Sequence, residues 1–269
     1  MEIGTKIMTK IQAIEFSEEN CHLCSLSIAI TKENFLIYIF YKSQLIYFSK
    51  IKLLKKNYNE ITTNHILKLD FKKTEIIIFG YPHTIIPSEF FDEKNASLLL
   101  STNAELLDVI KFHKIPEISA IAIYSLQEEL DDLLNLLFPE TIPEVIQSRF
   151  ISEFFKKSGN DEIAHVYISF EIIHICIFSK GKLILTNSYD YKNNEDILYY
   201  ILFAFEQLKL DPNEIKTRLY GDISKNNHKF KLLYKYIRDI DIEKLENNYK
   251  VNDQFFESTN YFDVNLLSI

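Results

Sequence analysis

Two glutamates, Glu33 and Glu171, each lie in a short polar segment that follows an apolar run. A carboxylate placed after a strand can hold a divalent cation directly or through water. A turn that wraps a phosphate also needs backbone N–H groups close to the ligand, which glycine permits. Neither segment 31–34 nor segment 169–172 contains glycine. The two acids are therefore either remnants of metal-holding groups or turn residues that face solvent, and we favour the second interpretation.

Other residues of metal-binding type have simpler structural explanations. Cys21 and Cys24 have the spacing of half a zinc site, but a tetrahedral site needs a second pair of ligands, and Cys176 is the only other cysteine. Histidine could complete such a site only if the fold brought His22, His65 or His83 there. We predict instead that residues 21–24 begin a strand and hold no metal.

Two acidic groups also fit structural roles. The four acids among residues 128–132 lie in the first turns of a predicted helix, where negative charge is favourable. Asp239, Asp241 and Glu243 alternate with isoleucine, which is typical of a half-buried strand with charged outward positions. Serine, cysteine and histidine show no local triad-like pattern. We predict no catalytic residue, no metal and no cofactor.

The composition limits the class of protein. A chain of 269 residues that is 47% hydrophobic, with 16 Tyr and 21 Phe, has enough apolar surface for two globular domains. The formal charge is −8 and only three arginines are present, which argues against a nucleic-acid partner. Residues 1–20 lack the apolar core of a signal peptide, and the apolar runs are about half the ~20 residues of a membrane span. We expect a cytoplasmic protein with reduced thiols.

The elements that position these residues occur twice. Segment 30–46 aligns without a gap with segment 168–184, at eight identical positions that include Glu33 and Glu171. Each copy has the pattern of three short strands, with a polar break before the third that suits an antiparallel hairpin. Alternating helices and strands follow, which gives the order βββαβαβ. We predict a duplicated α/β fold with a first lobe at 1–158 and a second lobe at 162–269.

Further elements follow from periodicity, caps and breakers. We predict helices over 59–69, 125–137, from 143 to about 157, over 193–208 and over 229–239. Short strands are expected at 75–80, 119–124, 216–221 and 240–245, and residues 81–91 are expected to turn into a short helix. The aromatic tail 252–269 should be docked. It packs either on its own lobe or back towards the first lobe, or part of it is held for a partner with Tyr261 and Phe262 as anchors.

Specific strings resemble a known family. They are TIIPxxFF from Thr84, GKL from Gly181 with Asn187, EDILYYIL from Glu195, QL from Gln207, LDP from Leu210 and LYG from Leu219. They are similar to a bacterial domain-of-unknown-function family, number 3822, found mainly in Bacteroidetes. The resemblance covers residues 23–249 and implies an actin-like ATPase architecture with two ribonuclease-H-like lobes. It implies no known activity.

The same resemblance defines where a nucleotide site would lie. Working actin-like ATPases place a glycine-containing turn with a carboxylate between the first two strands of each lobe, which corresponds here to Glu33 and Glu171. Their adenosine-binding part uses adjacent glycines, of which this chain offers only Gly221. These three residues are the weak candidates for a nucleotide site that has degenerated.

We therefore expect a non-catalytic interaction or scaffold protein that has lost its phosphate-binding loops. The partner would be a protein, and the oligomeric state stays open. The alternative is a nucleotide- or metabolite-binding enzyme with a non-standard cleft between the lobes, in which Lys32, Glu33, Glu171 and Lys225 would contact the ligand.

Overall fold

The computed structural model describes residues 9–12, 18–42, 44–53, 58–169 and 172–245. By internal contacts the chain divides into two units, the first ending at Ser148 and the second beginning at Arg149. Glu171 and the tail 252–269 lie outside the described residues. Each unit is built on a mixed β-sheet of its own.

The first unit opens with a run of strands rich in isoleucine, phenylalanine and tyrosine, residue types that favour extended backbone. Its elements are β1 (Thr9–Gln12), β2 (Ser25–Ile30), β3 (Asn34–Tyr41), β4 (Gln44–Lys52), α1 (Asn59–Thr62) and β5 (Lys73–Ile78). The side chains of β3 are buried along almost its whole length, so this strand is covered on both faces of the sheet. The predicted three-strand unit is present here. The predicted helix 59–69 is shorter, because a single 3₁₀ turn replaces its second half.

A smaller sheet is inserted after β5. Its elements are β6 (His83–Pro87), α2 (Ala96–Ser101), β7 (Val109–Ile115) and β8 (Ala120–Leu126), followed by α3 (Glu128–Leu137) and β9 (Glu144–Val145). The strand order is β6-β8-β7, and all neighbours are antiparallel. The prediction that residues 81–91 turn into a short helix was wrong for most of the segment. Ile85 and Ile86 pair with Ala122 and Ile121 on β8, and only residues 88–90 form a helical turn.

The second unit has the order predicted from the sequence. After α4 (Ile146–Ser158), which spans the division between the units, come β10 (Ile163–Ile168), β11 (Ile172–Ser179), β12 (Lys182–Asp190), α5 (Asn194–Leu208), β13 (Lys216–Gly221), α6 (His228–Leu233) and β14 (Ile240–Ile242). Asn193 and Asp196 form the capping box that opens α5, as the sequence indicates. Helix α6 ends at Leu233, earlier than the predicted end at residue 239. After it, Ile237 N–H donates to Leu233 O, and Arg238 N–H donates to Pro212 O outside the helix.

The two large sheets repeat one strand order. In the first unit it is β1-β4-β3-β2-β5-β9, and in the second it is β12-β11-β10-β13-β14. A register shift follows Ile39 on β3 and Ile177 on β11, and Lys42 and Lys180 both have positive φ in the hairpin turns. Both pairs stand at positions that the gapless sequence alignment makes equivalent, so the sequence repeat is a repeat of backbone structure. Among the described strands, the sheets differ at one edge, where β4 carries the extra strand β1.

Helices cover both faces of the second sheet. On one face, α5 and α6 bury a core that includes Ile197, Ile201, Phe205 and Phe230. On the other face, Phe154 of α4 stacks on the His165 ring at 4.7 Å. The sheet is therefore buried on both sides. In the described part of the chain, no helix is long and apolar enough to span a membrane.

Residues 21–24 do not begin a strand, contrary to the prediction. Residues Glu18–Leu23 form a 3₁₀ helix in which Cys21 O accepts the Cys24 N–H at 2.8 Å, and β2 starts at Ser25. Both side chains are buried thiols and not part of a disulfide. The side chains of Cys21 and Cys24 are part of the buried core.

Gly221 lies where the parallel strands β10 and β13 come close together. At φ +85° its backbone lies so near β10 that an added Cβ would stand 2.2 Å from Ile168 O, whereas a Cβ on Gly159, at φ +51°, would meet nothing within 4 Å. Both alanine variants carry left-handed strain of about 1–2 kcal/mol, and only Gly221→Ala adds overpacking of about 1–3 kcal/mol. Urea unfolding should show the larger loss for Gly221→Ala, and equal losses would contradict this account.

Candidate functional site

The three candidate residues lie in separate places. Glu33 is in the turn between β2 and β3 of the first unit and is exposed. Gly221 ends β13 in the second unit, opposite Ile168 in the parallel pair of β10 and β13. Glu171 is outside the described residues. Glu33 and Gly221 therefore belong to the sheets of different units.

The Glu33 turn is closed by the Thr31 hydroxyl. Thr31 Oγ1 accepts the N–H of Glu33 at 3.2 Å and the N–H of Asn34 at 2.9 Å, and Thr31 N–H bonds Asn34 O at 2.9 Å. A second chain segment also ties the turn, because Leu53 N–H donates to Glu33 O at 2.6 Å. A phosphate bound here would need such N–H groups as donors. In this turn the side chain of Thr31 already occupies the position of an anion.

A cluster of polar groups lies at the carboxyl end of the parallel strands β10 and β13. In open α/β sheets this end is the usual place for ligands. Lys229 donates to Asp222 Oδ2 at 2.6 Å, to Asp222 O at 3.3 Å and to Tyr191 Oη at 3.4 Å. Tyr191 Oη in turn donates to Ser169 O. The cluster thus links both strand ends to the start of α6.

The cluster is saturated by its own members. An ammonium group has three protons, and Lys229 directs them to three acceptors. Burial by itself lowers the pKa of Lys229, but the hydrogen bond to Asp222 and the interactions with Tyr191 outweigh it, so the pKa is raised. Lys229 is therefore a cation paired with Asp222, and its charge is already neutralised at the place where an anionic ligand would bind.

A second polar network is buried between α4 and the sheet. Ser158 Oγ lies 2.9 Å from His165 Nε2, His165 Nδ1 lies 3.0 Å from Tyr220 Oη, and Tyr220 Oη donates to Glu243 Oε2 at 2.7 Å. Ser158 Oγ also lies 2.7 Å from Phe154 O. The chain of contacts runs from the end of α4 through β10 and β13 to the segment after β14.

Burial, with the positive charges of Lys157 and Arg218, lowers the pKa of His165 to about 3. The imidazole is therefore neutral at physiological pH. Tyr220 gives its only proton to the Glu243 carboxylate, so Tyr220 Oη accepts from His165 Nδ1–H, and His165 Nε2 is left as an acceptor for the Ser158 hydroxyl. The single Ser158 proton then has two acceptors within reach, Phe154 O at 2.7 Å and His165 Nε2 at 2.9 Å.

Ser158 and His165 have the spacing of a catalytic pair, but a substrate cannot reach them. A serine and a histidine at hydrogen-bond distance are the usual nucleophile and base. Here Ser158 is 3% exposed and His165 is 0% exposed, which leaves no path for a substrate to the hydroxyl. A base with a pKa near 3 is also poorly matched to proton transfer near neutral pH. The arrangement instead fastens the last turn of α4 to the sheet.

The acids around β14 pair with basic side chains of their own unit. Arg218 Nη1 lies 2.8 Å from Asp239 Oδ1 and Arg218 Nε lies 3.3 Å from Glu243 Oε1, while Lys225 Nζ lies 2.9 Å from Asp241 Oδ1. The hydrogen bond from Lys225, with the backbone N–H of Ile242, lowers the pKa of Asp241. Among the described residues no group of three or more His, Cys, Asp or Glu side chains could hold a metal ion.

The family described as "Protein of unknown function (DUF3822)" matches residues 13–240. The chain belongs to this family. Of the solved structures, a Bacteroides thetaiotaomicron VPI-5482 protein with an actin-like ATPase fold and unknown function has a TM-score of 0.73 at 22% identity, over 85% of this chain and 93% of that chain. A chain of the PilM–PilN type IV pilus biogenesis complex has a TM-score of 0.52 at 12% identity, over 87% and 92%. No curated protein matches the chain.

The comparisons confirm the family and the fold class predicted from the sequence. The two sheet-rich units of this DUF3822 chain have the actin-like ATPase fold. At 22% and 12% identity, the likeness to solved structures concerns the fold alone. The family itself is one of unknown function.

Sequence analysis missed the residues that carry both polar clusters. From the sequence, Lys229 is predicted only to begin the helix over 229–239, and no role follows for Tyr191. A signal for the first cluster was available in Asp222, which directly follows the glycine at the end of a strand. A signal for the second was His165, a polar residue inside the buried strand β10, since buried polar groups require partners.

The Thr31 hydroxyl can be tested by a matched pair of variants. Thr31→Val removes the acceptor of the Glu33 and Asn34 N–H groups and should lower the free energy of unfolding by about 1 kcal/mol. Thr31→Ser keeps the hydroxyl and should stay close to the wild type. Urea unfolding distinguishes them, and an unchanged stability of Thr31→Val would show that the hydroxyl does not hold the turn.

His165 should make folding stability dependent on pH. Its pKa is lowered from 6.5 to about 3 in the folded state, so between these values the unfolded chain binds a proton that the folded chain does not. This contribution to stability is present above pH 6.5 and is lost as pH falls towards 3, at about 1.4 kcal/mol per pH unit.

The variant His165→Phe isolates this effect. The stability difference between the wild type and His165→Phe should shrink as pH falls from neutrality to about 4.5, measured by urea unfolding at each pH. His22→Gln, at an exposed position, is the control and should follow the wild type. A difference that stays constant over the range would contradict a neutral, buried His165.

Proposed function

We propose that this protein is a non-catalytic member of the actin-like fold that acts as an interaction or scaffold module and has lost the phosphate-binding loops. The proposal rests on one observation: the polar groups at the ends of the two sheets are already hydrogen-bonded to other groups of the chain. The N–H groups of the Glu33 turn are bonded to Thr31 Oγ1, and the Lys229 ammonium is bonded to Asp222 and Tyr191. A phosphate would have to displace these contacts.

The packing of the backbone, rather than a ligand, explains why residue 221 is glycine. The approach of its Cα to Ile168 O leaves no room for a side chain, so glycine is required here whether or not a nucleotide binds. Lys225, a residue of the alternative enzyme site, is paired with Asp241. Both facts favour the non-catalytic role over the alternative.

An interaction role needs an exposed apolar surface, and helix α5 offers one. Tyr199 is 60% exposed and Phe203 is 38% exposed, and their rings stack at 5.8 Å. Leu198 and Leu202 lie beside them in a shallow groove of about 250 Å³ that ends in Glu195 and Glu206. Exposed aromatic side chains of this kind dominate the energetics of protein interfaces. The actin-like fold also occurs in a protein complex, PilM–PilN.

A thermal-shift screen with Mg-ATP, ADP, GTP and sugar phosphates tests the loss of phosphate binding. A ligand present at about 100 times its dissociation constant stabilises the native state by about 2.7 kcal/mol, which corresponds to about 5–10 °C in melting temperature for a chain of this size. We expect no shift with any of these ligands and no phosphate release from ATP. A dose-dependent shift or turnover would contradict the proposal and favour the enzyme.

A further inference from the structure

Helix α5 is apolar on its outer face as well as on the face that covers the sheet. Ile197, Ile201 and Phe205 are buried in the core of the second unit. A surface helix ordinarily carries polar residues on its other side, whereas a helix that is apolar all round is covered all round. The outer positions of α5 instead carry Tyr199 and Phe203, which are 60% and 38% exposed. The outer face of α5 therefore has the composition of a surface that is normally covered.

The outer residues form one continuous stripe with an acid at each end. They lie three or four positions apart, the spacing that places side chains on one side of a helix. Together they line the shallow groove of about 250 Å³. We call these six residues the α5 face: Glu195, Leu198, Tyr199, Leu202, Phe203 and Glu206.

The aromatic rings of the α5 face are held in place by their neighbours. Tyr199 contacts Tyr200 at 5.4 Å and stacks on Phe203 at 5.8 Å between ring centroids. Tyr200 in turn stacks on Tyr189 of β12 at 4.3 Å, and Asn187 Nδ2 donates to Tyr189 Oη at 2.9 Å. Side chains that are already fixed lose little conformational entropy on binding. Tyr199 and Phe203 are therefore preorganised anchors.

The charge of α5 is entirely negative. Helix α5, Asn194–Leu208, carries Glu195, Asp196 and Glu206 and no Lys, Arg or His. Asp196 is used in the capping box, whereas Glu195 and Glu206 are exposed. Eleven positions separate these two glutamates, which is about 16 Å along a helix axis. The α5 face is thus an apolar band with a negative charge at each end.

This charge pattern disfavours several occupants. Two α5 faces packed about a two-fold axis would bring glutamate against glutamate, and like charges facing each other weaken an interface. The tail 252–269 contains three acids and no basic residue, so the same objection applies to it. Anionic lipid and nucleic acid would be repelled as well. A basic segment of another protein is complementary to the α5 face.

We propose that the α5 face docks an amphipathic helix of another protein, whose apolar stripe has a basic side chain at each end. This proposal rests on the proposed interaction function and names the chemistry of the partner. Amphipathic helices bind apolar grooves through anchors at helical spacing. Two helices that cross at about 20° stay nearly aligned over this length. Two lysines or arginines eleven positions apart would then reach Glu195 and Glu206 in either direction of the partner helix.

The probe for this partner is a fluorescent, alanine-rich peptide of about 18 residues. It carries two lysines eleven positions apart and four leucines between them on the same helical face, and a matched peptide has glutamate in place of both lysines. Fluorescence anisotropy with the full chain should give the lysine peptide a dissociation constant of about 100 µM or less. The glutamate peptide should bind about tenfold more weakly. No binding of the lysine peptide, or equal binding of both, would overturn the proposal.

Charge reversal on the protein assigns the binding to the α5 face. Glu195→Lys/Glu206→Lys should reverse the preference, so that the glutamate peptide binds about tenfold more tightly than the lysine peptide. Glu140→Lys/Glu214→Lys changes the net charge equally at exposed positions outside α5 and should keep the wild-type preference. A reversal in both double variants, or in neither, would overturn the assignment to this face.

The aromatic anchors are tested by Tyr199→Ala, which should raise the dissociation constant of the lysine peptide about tenfold. Tyr234→Ala removes another tyrosine, 62% exposed on α6, and should leave it unchanged. Equal effects of the two variants would contradict an anchoring role for Tyr199.

Light scattering distinguishes a second copy from another protein. The full chain at about 100 µM should have the monomer mass of 31.8 kDa. A dimer that Tyr199→Ala dissociates would give the α5 face to a second copy and overturn the proposal. The nucleotide screen separates this result from the proposed function. Loss of peptide binding without a nucleotide shift sinks the docking alone, and a nucleotide shift with intact peptide binding sinks the non-catalytic role alone.

Discussion

The parallel pairing of β10 with β13 is the contact on which the second unit depends. The meander of β10, β11 and β12 contains only neighbours in sequence, whereas β13 returns after α5 to lie beside β10. This pairing sets Tyr220 against His165 and brings Asp222 N–H to Ile168 O at 2.7 Å. It also brings the two backbones so close that only glycine fits at position 221. Both polar clusters of the unit follow from this one crossing.

The buried network shows how such a crossing is made specific. A polar side chain in an apolar core is costly unless its hydrogen bonds are complete. His165, Tyr220 and Glu243 come from three separate segments, and each satisfies the next. A different packing of α4 on the sheet would take the Ser158 hydroxyl away from His165 Nε2. The network therefore penalises alternative arrangements more than it stabilises the native one.

The two sheets share a topology and differ at their edges. In the first unit β1 pairs antiparallel with β4, while in the second unit no described strand pairs with the outer side of β12, where Ser188 N–H donates to the Asn187 side chain. The described parts of the two units thus keep one order of core strands and differ at this edge.

The sequence by itself determined the repeat, the strand meanders and the order of elements in the second unit. Alternating apolar residues and polar hairpin breaks depend on neighbours along the chain, so they can be recognised without the fold. It could not determine that residues 83–87 form a strand, because that strand exists only through its pairing with β8. Nor could it join Ser158 to His165 and Tyr220, or Lys229 to Asp222 and Tyr191. Those contacts depend on distance in space, which the tertiary structure alone decides.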